Sequence, residues 1–221
     1  MSVKRELIKG TLILTAAGFA ARLLGFFNRV YLANLISNAE LGRYQLIFPI
    51  FMFCMAVSCA GIQVAVSKMV AAYHGTGKKK AIRQTIKSAG IMSLIVALLS
   101  SGCVIAFSEP ISRWILKDIS CREYLVIMAI AIPFAAVHTC VGGYFYGIRH
   151  TAVPAVTQLL EQVVRVVTIY LLGAMMYQKG KIDASVAVWG LAAGEIFSCF
   201  LTWICYRFSI RSQNGGSGSG E

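Results

Sequence analysis

The stretch VPAVTQLLEQVVRVVTIYLLGAMMY, residues 153–177, is long and apolar, yet it carries Gln158, Glu161, Gln162 and Arg165 within two helical turns. A helix needs about 20 mostly apolar residues to cross the hydrocarbon of a bilayer. Charge at the centre of such a helix is disfavoured by roughly 2.5–3.5 kcal/mol on insertion scales. Glu161 and Arg165 stand four apart with the acid first, the spacing that favours an ion pair along one helix. The pair neutralises itself, but with two glutamines beside it the face is too polar for lipid. It has to look into a bundle interior or a wet cavity, either as a polar clamp between helices or as part of a binding surface.

The rest of the chain reads the same way. Its 221 residues are 57% apolar and 14% charged, with a mean hydropathy of +0.70, where soluble domains carry about a quarter charged residues. Apolar runs separate at clusters of charge into spans at about 8–35, 44–72, 84–108, 123–147, 153–177 and 185–209. An unpaired backbone in lipid leaves only helices and closed barrels, and no alternating pattern of barrel strands is present. The fold class is therefore an all-α membrane protein with six transmembrane helices over residues 1–211. Residues 212–221, ending in NGGSGSGE, read as a flexible Gly/Ser tail added to a natural chain cut at that point. Pro154 falls in the first turn of its helix, where it is harmless, and Pro133 lies inside the fourth span, where a kink is expected.

The formal charge of +12 and pI near 9.6 would also suit a nucleic-acid binder, but cations gathered at helix ends account for it, and no nucleic-acid partner is expected. Lys4, Arg5, Lys9, Lys78, Lys79, Lys80, Arg83, Lys87, Arg149, Arg207 and Arg211 fall on one side. Arg43, Arg113, Lys117, Arg122, Lys179 and Lys181 fall on the other, offset by Glu40, Glu109, Asp118, Glu123 and Asp183. The positive-inside rule puts the first side, with both termini, in the cytoplasm, and the protein in the bacterial plasma membrane. The basic run around Lys78–Lys80 is then topogenic, lying against anionic lipid. The seven cysteines form no CxxC pair and read as buried small hydrophobes, and no cofactor or metal is expected.

Other polar residues within the spans stand out. Gly18, Arg22, Gly25 and Arg29 follow at spacings of four, three and four on a single helical stripe, with Asn28 beside it. The glycines would let another backbone or a bulky ligand approach two cations. Glu195 follows a Gly190/Gly194 pair suited to close helix contact, and its expected partner is Arg22 or Arg29. His138 is read as donating to a carbonyl, with a titrating role as the alternative. Lys68 is expected to snorkel, and Tyr144, Phe145 and Tyr146 to anchor at the interface. Arg22, Arg29 and Arg165 outnumber Glu161 and Glu195, so a cavity lined by them favours an anionic guest such as a phosphate or pyrophosphate.

Three segments, RLLGFFNRVYLANLI (22–36), LGRYQLIFPIF with AGIQVAVSKMVA (41–72), and GGYFYGIRHTAVPAVTQLLEQVVRVV (142–167), resemble the stage V sporulation protein B family of polysaccharide-biosynthesis membrane proteins. That family is similar to the lipid II flippases and, with them, to the multidrug and toxin extrusion (MATE) transporters. The resemblance implies two six-helix lobes around a central cavity, of which this chain matches the N-terminal one. It further implies alternating access that carries the headgroup of a lipid-linked saccharide across the membrane. Arg22 and Arg29 match positions at or near those placed in that family's cavity as candidate contacts for the lipid's pyrophosphate, and Gln158, Glu161, Gln162 and Arg165 match the fifth-span pattern. The candidate substrate-binding residues are thus Arg22, Asn28, Arg29, Gln158, Glu161, Gln162, Arg165 and Glu195. A half cavity requires a second six-helix lobe or a second copy as partner, besides membrane lipid and the lipid-linked saccharide pyrophosphate.

Two other functions fit less well. A cation-coupled drug antiporter of the same superfamily predicts an acidic cavity, which the arginines oppose. A non-transporting single-lobe scaffold accords with the Gly/Ser tail. Membrane catalysis lacks its usual constellations, since there is no HExxH and no aspartate within the spans, and no enzyme is expected.

Overall fold

In the computed structural model, which describes residues 3–177 and 182–215, the apolar stretches fold as helices whose ends are set by local chemistry. The first helix, α1, spans Val3–Leu35, and Ser37 caps the next by accepting from the Glu40 N–H at 3.3 Å. The second, α2, runs Asn38–Gly75 and includes Pro49 and one turn of π-helix at Ala56–Ala60, where an extra residue enters the ladder. The turn into α3, Lys79–Ala106, uses Gly77 at φ +68°, a left-handed conformation that glycine adopts at no steric cost. A short helical segment, Ser108–Pro110 continuing through Ile111–Ile115, leads to α4, Cys121–Gly147. Helix α5 spans Ala152–Tyr177 and α6 spans Ser185–Gly215.

Five of these helices, α2 to α6, are long and apolar enough to cross a membrane among the described residues. Helix α1 is 33 residues long, about 50 Å at 1.5 Å per residue, and carries Arg22 and Arg29 in its body. Helix α6 continues to Gly215, into the stretch expected to be tail, and residues 216–221 lie outside the described residues, as do Lys179 and Lys181.

Helix α4 is the centre of the bundle because it is built of small residues where its neighbours cross. A Cβ on Gly143 would come within 2.8 Å of the Gln63 carbonyl, and one on Gly147 within 2.7 Å of Val70, so α2 lies directly against it. Its alanines 129, 131, 135 and 136 are fully buried among Leu125, Met128, Val188 and Leu191. Helices α3 and α6 flank α4, α5 packs on α6, and α1 packs chiefly along α5 at the edge. The outside is apolar: Phe19, Phe26, Phe27, Leu98, Leu99 and Phe200 are all exposed, the reverse of a water-soluble surface.

The aromatic expectation is corrected. Tyr144 and Phe145 are 1% and 2% exposed rather than interfacial, with Tyr144 hydrogen-bonded to Ser209 at 2.8 Å, and only Tyr146 is partly open. The approach of α2 to Gly143 and Gly147 covers this end of α4 with side chains. At the opposite end, Glu40 accepts from Tyr124 Oη at 2.8 Å and the Ala184 N–H at 3.0 Å and pairs with Arg43. Arg43 Nε in turn donates to Asp118 Oδ2 at 2.7 Å, and Asp118 Oδ1 takes the Ser120 N–H at the start of α4. This chain of contacts ties the first turns of α2, α4 and α6 together, and it holds the Asp118 carboxyl below its ordinary range, chiefly through Arg43.

Candidate functional site

Glu161 and Arg165 form the ion pair that their spacing predicts, with Arg165 Nη2 to Glu161 Oε1 at 2.8 Å. The pair is not self-contained. The same guanidinium nitrogen reaches Glu195 Oε1 on α6 at 3.4 Å, and His138 Nε2 on α4 lies 3.2 Å from Glu195 Oε2. Ser198, one turn beyond Glu195, meets His138 Nδ1 at 3.0 Å, and Glu195 Oε2 is buried beside the ring without a hydrogen-bond partner. Gly194 makes this approach possible, since a Cβ there would lie 3.2 Å from the Glu161 carbonyl and 3.5 Å from Arg165 Nε. Glu161 and Glu195 are 7% and 6% exposed.

The partner expected for Glu195 is therefore corrected: it is Arg165 together with His138, not Arg22 or Arg29. Helix α6 packs on α4 and α5, and α1 packs chiefly along α5. Two carboxylates face one guanidinium here, so with all three ionised the group is negative by one charge, which a proton on His138 cancels. Ligand atoms of His138, Glu161 and Glu195 lie within 4.8 Å of one another, close enough to hold a metal ion, but Arg165 already supplies a cation to both carboxylates.

A hollow of about 170 Å³ opens beside this group, lined by Gln63, His138, Tyr146, Gln158, Glu161 and Thr202 among others. Gln158 lines it and is exposed, whereas Gln162 is half-buried and does not. Thr202 Oγ1 is buried without a partner. From sequence, His138 read as a lone core histidine; the signal that would have placed it is the Glu195/Ser198 spacing, which puts both groups on one face of α6.

Arg22 and Arg29 are placed differently. Both are exposed on α1, and among the described residues neither forms an ion pair. Among the described residues nothing comes within 4 Å of a Cβ built at Gly18 or Gly25, so the stripe is open rather than packed. Asn28 is 8% exposed, and its Oδ1 is buried without a partner. The stripe borders α5, where Tyr31 stacks near Tyr170 at 6.1 Å between ring centroids, and Tyr44 lies within electrostatic reach of both Arg29 and Arg165. The structure thus brings Glu161, Arg165 and Glu195 together with His138 and leaves the α1 arginines on a separate, open face.

A family model described as polysaccharide biosynthesis protein matches residues 7–216. The chain is 28% identical over 206 residues to stage V sporulation protein B of Bacillus subtilis (strain 168), covering 93% of this chain and 40% of that protein. It is 26% identical over 178 residues to the lipid II flippase MurJ of the same organism, covering 76% and 32%. The chain therefore spans less than half the length of these relatives. A crystal structure of MATE in the bent conformation matches with a TM-score of 0.84 at 13% identity, over 99% of this chain and 49% of that one. MATE in the straight conformation matches with 0.81 over 97% and 49%. At such identity the likeness is one of fold, and it extends over about half of the MATE chain. By the near-complete family match and the apolar helices that accompany it, this chain belongs to the polysaccharide biosynthesis protein family and is a multi-pass membrane protein with a MATE-like fold.

Proposed function

We propose that this chain is the N-terminal half of a flippase that moves a lipid-linked saccharide precursor of cell-envelope or spore polysaccharide across the plasma membrane by alternating access. The observation that carries the reading is the open stripe on α1. Arg22 and Arg29 sit in the body of a membrane-length helix without a carboxylate partner among the described residues. Cations at that depth need an anionic counterpart, and a pyrophosphate on a lipid carrier supplies one in a form that suits forked guanidinium donors. The similarity to a lipid II flippase favours the same class of passenger.

In this reading α1 is a sixth span and both termini are cytoplasmic, on the side where the Lys78–Lys80 turn collects cations. The stripe faces a second six-helix lobe or a second copy, and the two bodies rock about the bound headgroup while the lipid tail stays in the bilayer. Arg22 and Arg29 hold the pyrophosphate and Asn28 orients it. Gln158 extends hydrogen bonding toward the saccharide, while Glu161, Gln162, Arg165 and Glu195 form the adjoining polar wall. No bond of the passenger is made or broken.

The test uses the carrier in full length, reconstituted in vesicles with a lipid-linked saccharide. Replacing Arg22→Gln and Arg29→Gln together is expected to abolish flipping with protein level unchanged, each lost charge-assisted contact being worth about 1.5–3 kcal/mol. Flipping at the wild-type rate in that double variant discards the reading.

A further inference from the structure

A second concavity lies away from the polar group and from α1. Helices α2 and α3 both lean their inner faces on α4, where Val66, Val70, Ile82 and Ile86 pack with Cys140, Val141 and Phe145. Their outer faces diverge, leaving a groove of about 640 Å³ between Val57–Tyr73 of α2 and Ala81–Met92 of α3. Small residues such as Gly61, Ala65 and Ala89 keep its walls low. We propose that this groove holds an acyl chain of an anionic phospholipid, with the phosphate seated at the basic turn between α2 and α3.

The groove has the polarity gradient of an amphiphile. Near the turn its α3 wall offers Gln84, Thr85 and Ser88, while deeper in the wall becomes Ala89 and Met92, opposite Val57 and Gly61. Its α2 wall, from Val57 to Tyr73, rises about 24 Å, against roughly 15 Å for half of the hydrocarbon core, so one end lies near the bilayer centre and the other among headgroups. The turn that joins the two walls carries Lys78, Lys79 and Lys80, all exposed, at the headgroup end. No acidic residue occurs anywhere between Glu40 and Glu109.

That charge selects the occupant. A zwitterionic lipid gains nothing from the cations. A second copy of this chain docking symmetrically would bring the same basic patch against itself. An anionic headgroup is matched at one end of the groove and its chain along the remainder. The site is separate from the α1 stripe, and the inference does not depend on the lobe's being a flippase.

The experiment is native mass spectrometry of the chain released from nanodiscs of equal phosphatidylcholine and phosphatidylglycerol, with helicity checked by circular dichroism. Wild type is expected to retain phosphatidylglycerol in preference to phosphatidylcholine. Lys78→Gln with Lys80→Gln should weaken retention by about fivefold per cation removed. Ala65→Trp, which fills the groove and leaves the charge unchanged, should abolish it. Leu98→Trp, on the outward face of α3, and Arg122→Gln, at the other end of the lobe, should change nothing. Equal retention of both lipids, or retention indifferent to Ala65→Trp, overturns the proposal. So does a lipid-independent dimer that closes the groove, or displacement by a polyisoprenyl phosphate at lower concentration than phosphatidylglycerol.

Discussion

Arg165 and the pair Arg22/Arg29 are the same side chain in two settings, and the lobe treats them in opposite ways. Arg165, with its side chain 13% exposed, is held by two carboxylates from two helices beside a histidine. Arg22 and Arg29 are exposed on α1, without an ion-pair partner among the described residues. A guanidinium paired inside the lobe has a large part in holding α5 and α6 together, although Arg165 Nε itself stays buried without a hydrogen bond. One left unsatisfied contributes little to the lobe and keeps its donors for something else. The difference divides the polar residues of the chain into those that build the lobe and those that await a counterpart.

The sharpest way to break that division is to remove Arg165. Arg165→Ala leaves Glu161 and Glu195 buried against each other without a cation and is expected to cost about 3–5 kcal/mol, read as a loss of thermal stability of the detergent-solubilised chain. Replacing the set together, Arg165→Met with Glu161→Leu and Glu195→Leu, should recover much of it, because a buried ion pair exchanged for packed apolar groups is often neutral. If Arg165→Ala unfolds no more easily than wild type, the structural assignment of this group is wrong. Arg22→Gln with Arg29→Gln makes the contrasting case, expected to shift stability by no more than about 0.5 kcal/mol, as exposed substitutions do. A large destabilisation there would mean that the stripe is packed against something within the lobe.

A smaller effect tests how the group is assembled. Gly194→Leu places a side chain against the Glu161 carbonyl, which a Cβ alone would already approach to 3.2 Å, and it should cost about 1–3 kcal/mol by overpacking. It should also move Arg165 and Glu195 apart, so its cost and that of Glu195→Gln should fall short of additive when combined in a double-mutant cycle. Additive losses would mean that the glycine matters for packing alone.

Much of this arrangement was legible in the chain, and the part that was not has a common cause. The Glu161/Arg165 pair follows from spacing along one helix, and close packing of α6 follows from Gly190 and Gly194, because both are properties of a single element. The partners of Glu195 depend on which helices are neighbours, and composition is silent on that. Counting charges offered Arg22 and Arg29 as candidates, but α6 meets α4 and α5, so Arg165 and His138 take the place. Tyr144 and Phe145 failed for the same reason: an aromatic run at a helix end reads as an interfacial belt until α2 is seen lying over Gly143 and Gly147. The π-turn in α2 left no sequence signal beyond Pro49, which precedes it in the same helix.

Arg43 provides an intermediate case between the buried and the open arginines, with its side chain 28% exposed and both Glu40 and Asp118 as partners. Its electrostatics should follow pH in a way that the open stripe cannot. Asp118 is held below its ordinary range by Arg43, so the protonated carboxyl is favoured in the unfolded chain relative to the folded one. Its contribution is complete above the unfolded value, about 3.9, and is lost as pH falls through the lower folded value. Asp118→Asn should therefore lower the melting temperature at pH 7 by the equivalent of about 0.5–1 kcal/mol, as partly exposed pairs do, and the gap from wild type should close as the medium is taken to pH ~3. A gap that persists undiminished at acid pH would show that Asp118 acts there through the Ser120 N–H as a neutral cap, and that its pairing with Arg43 adds nothing to stability.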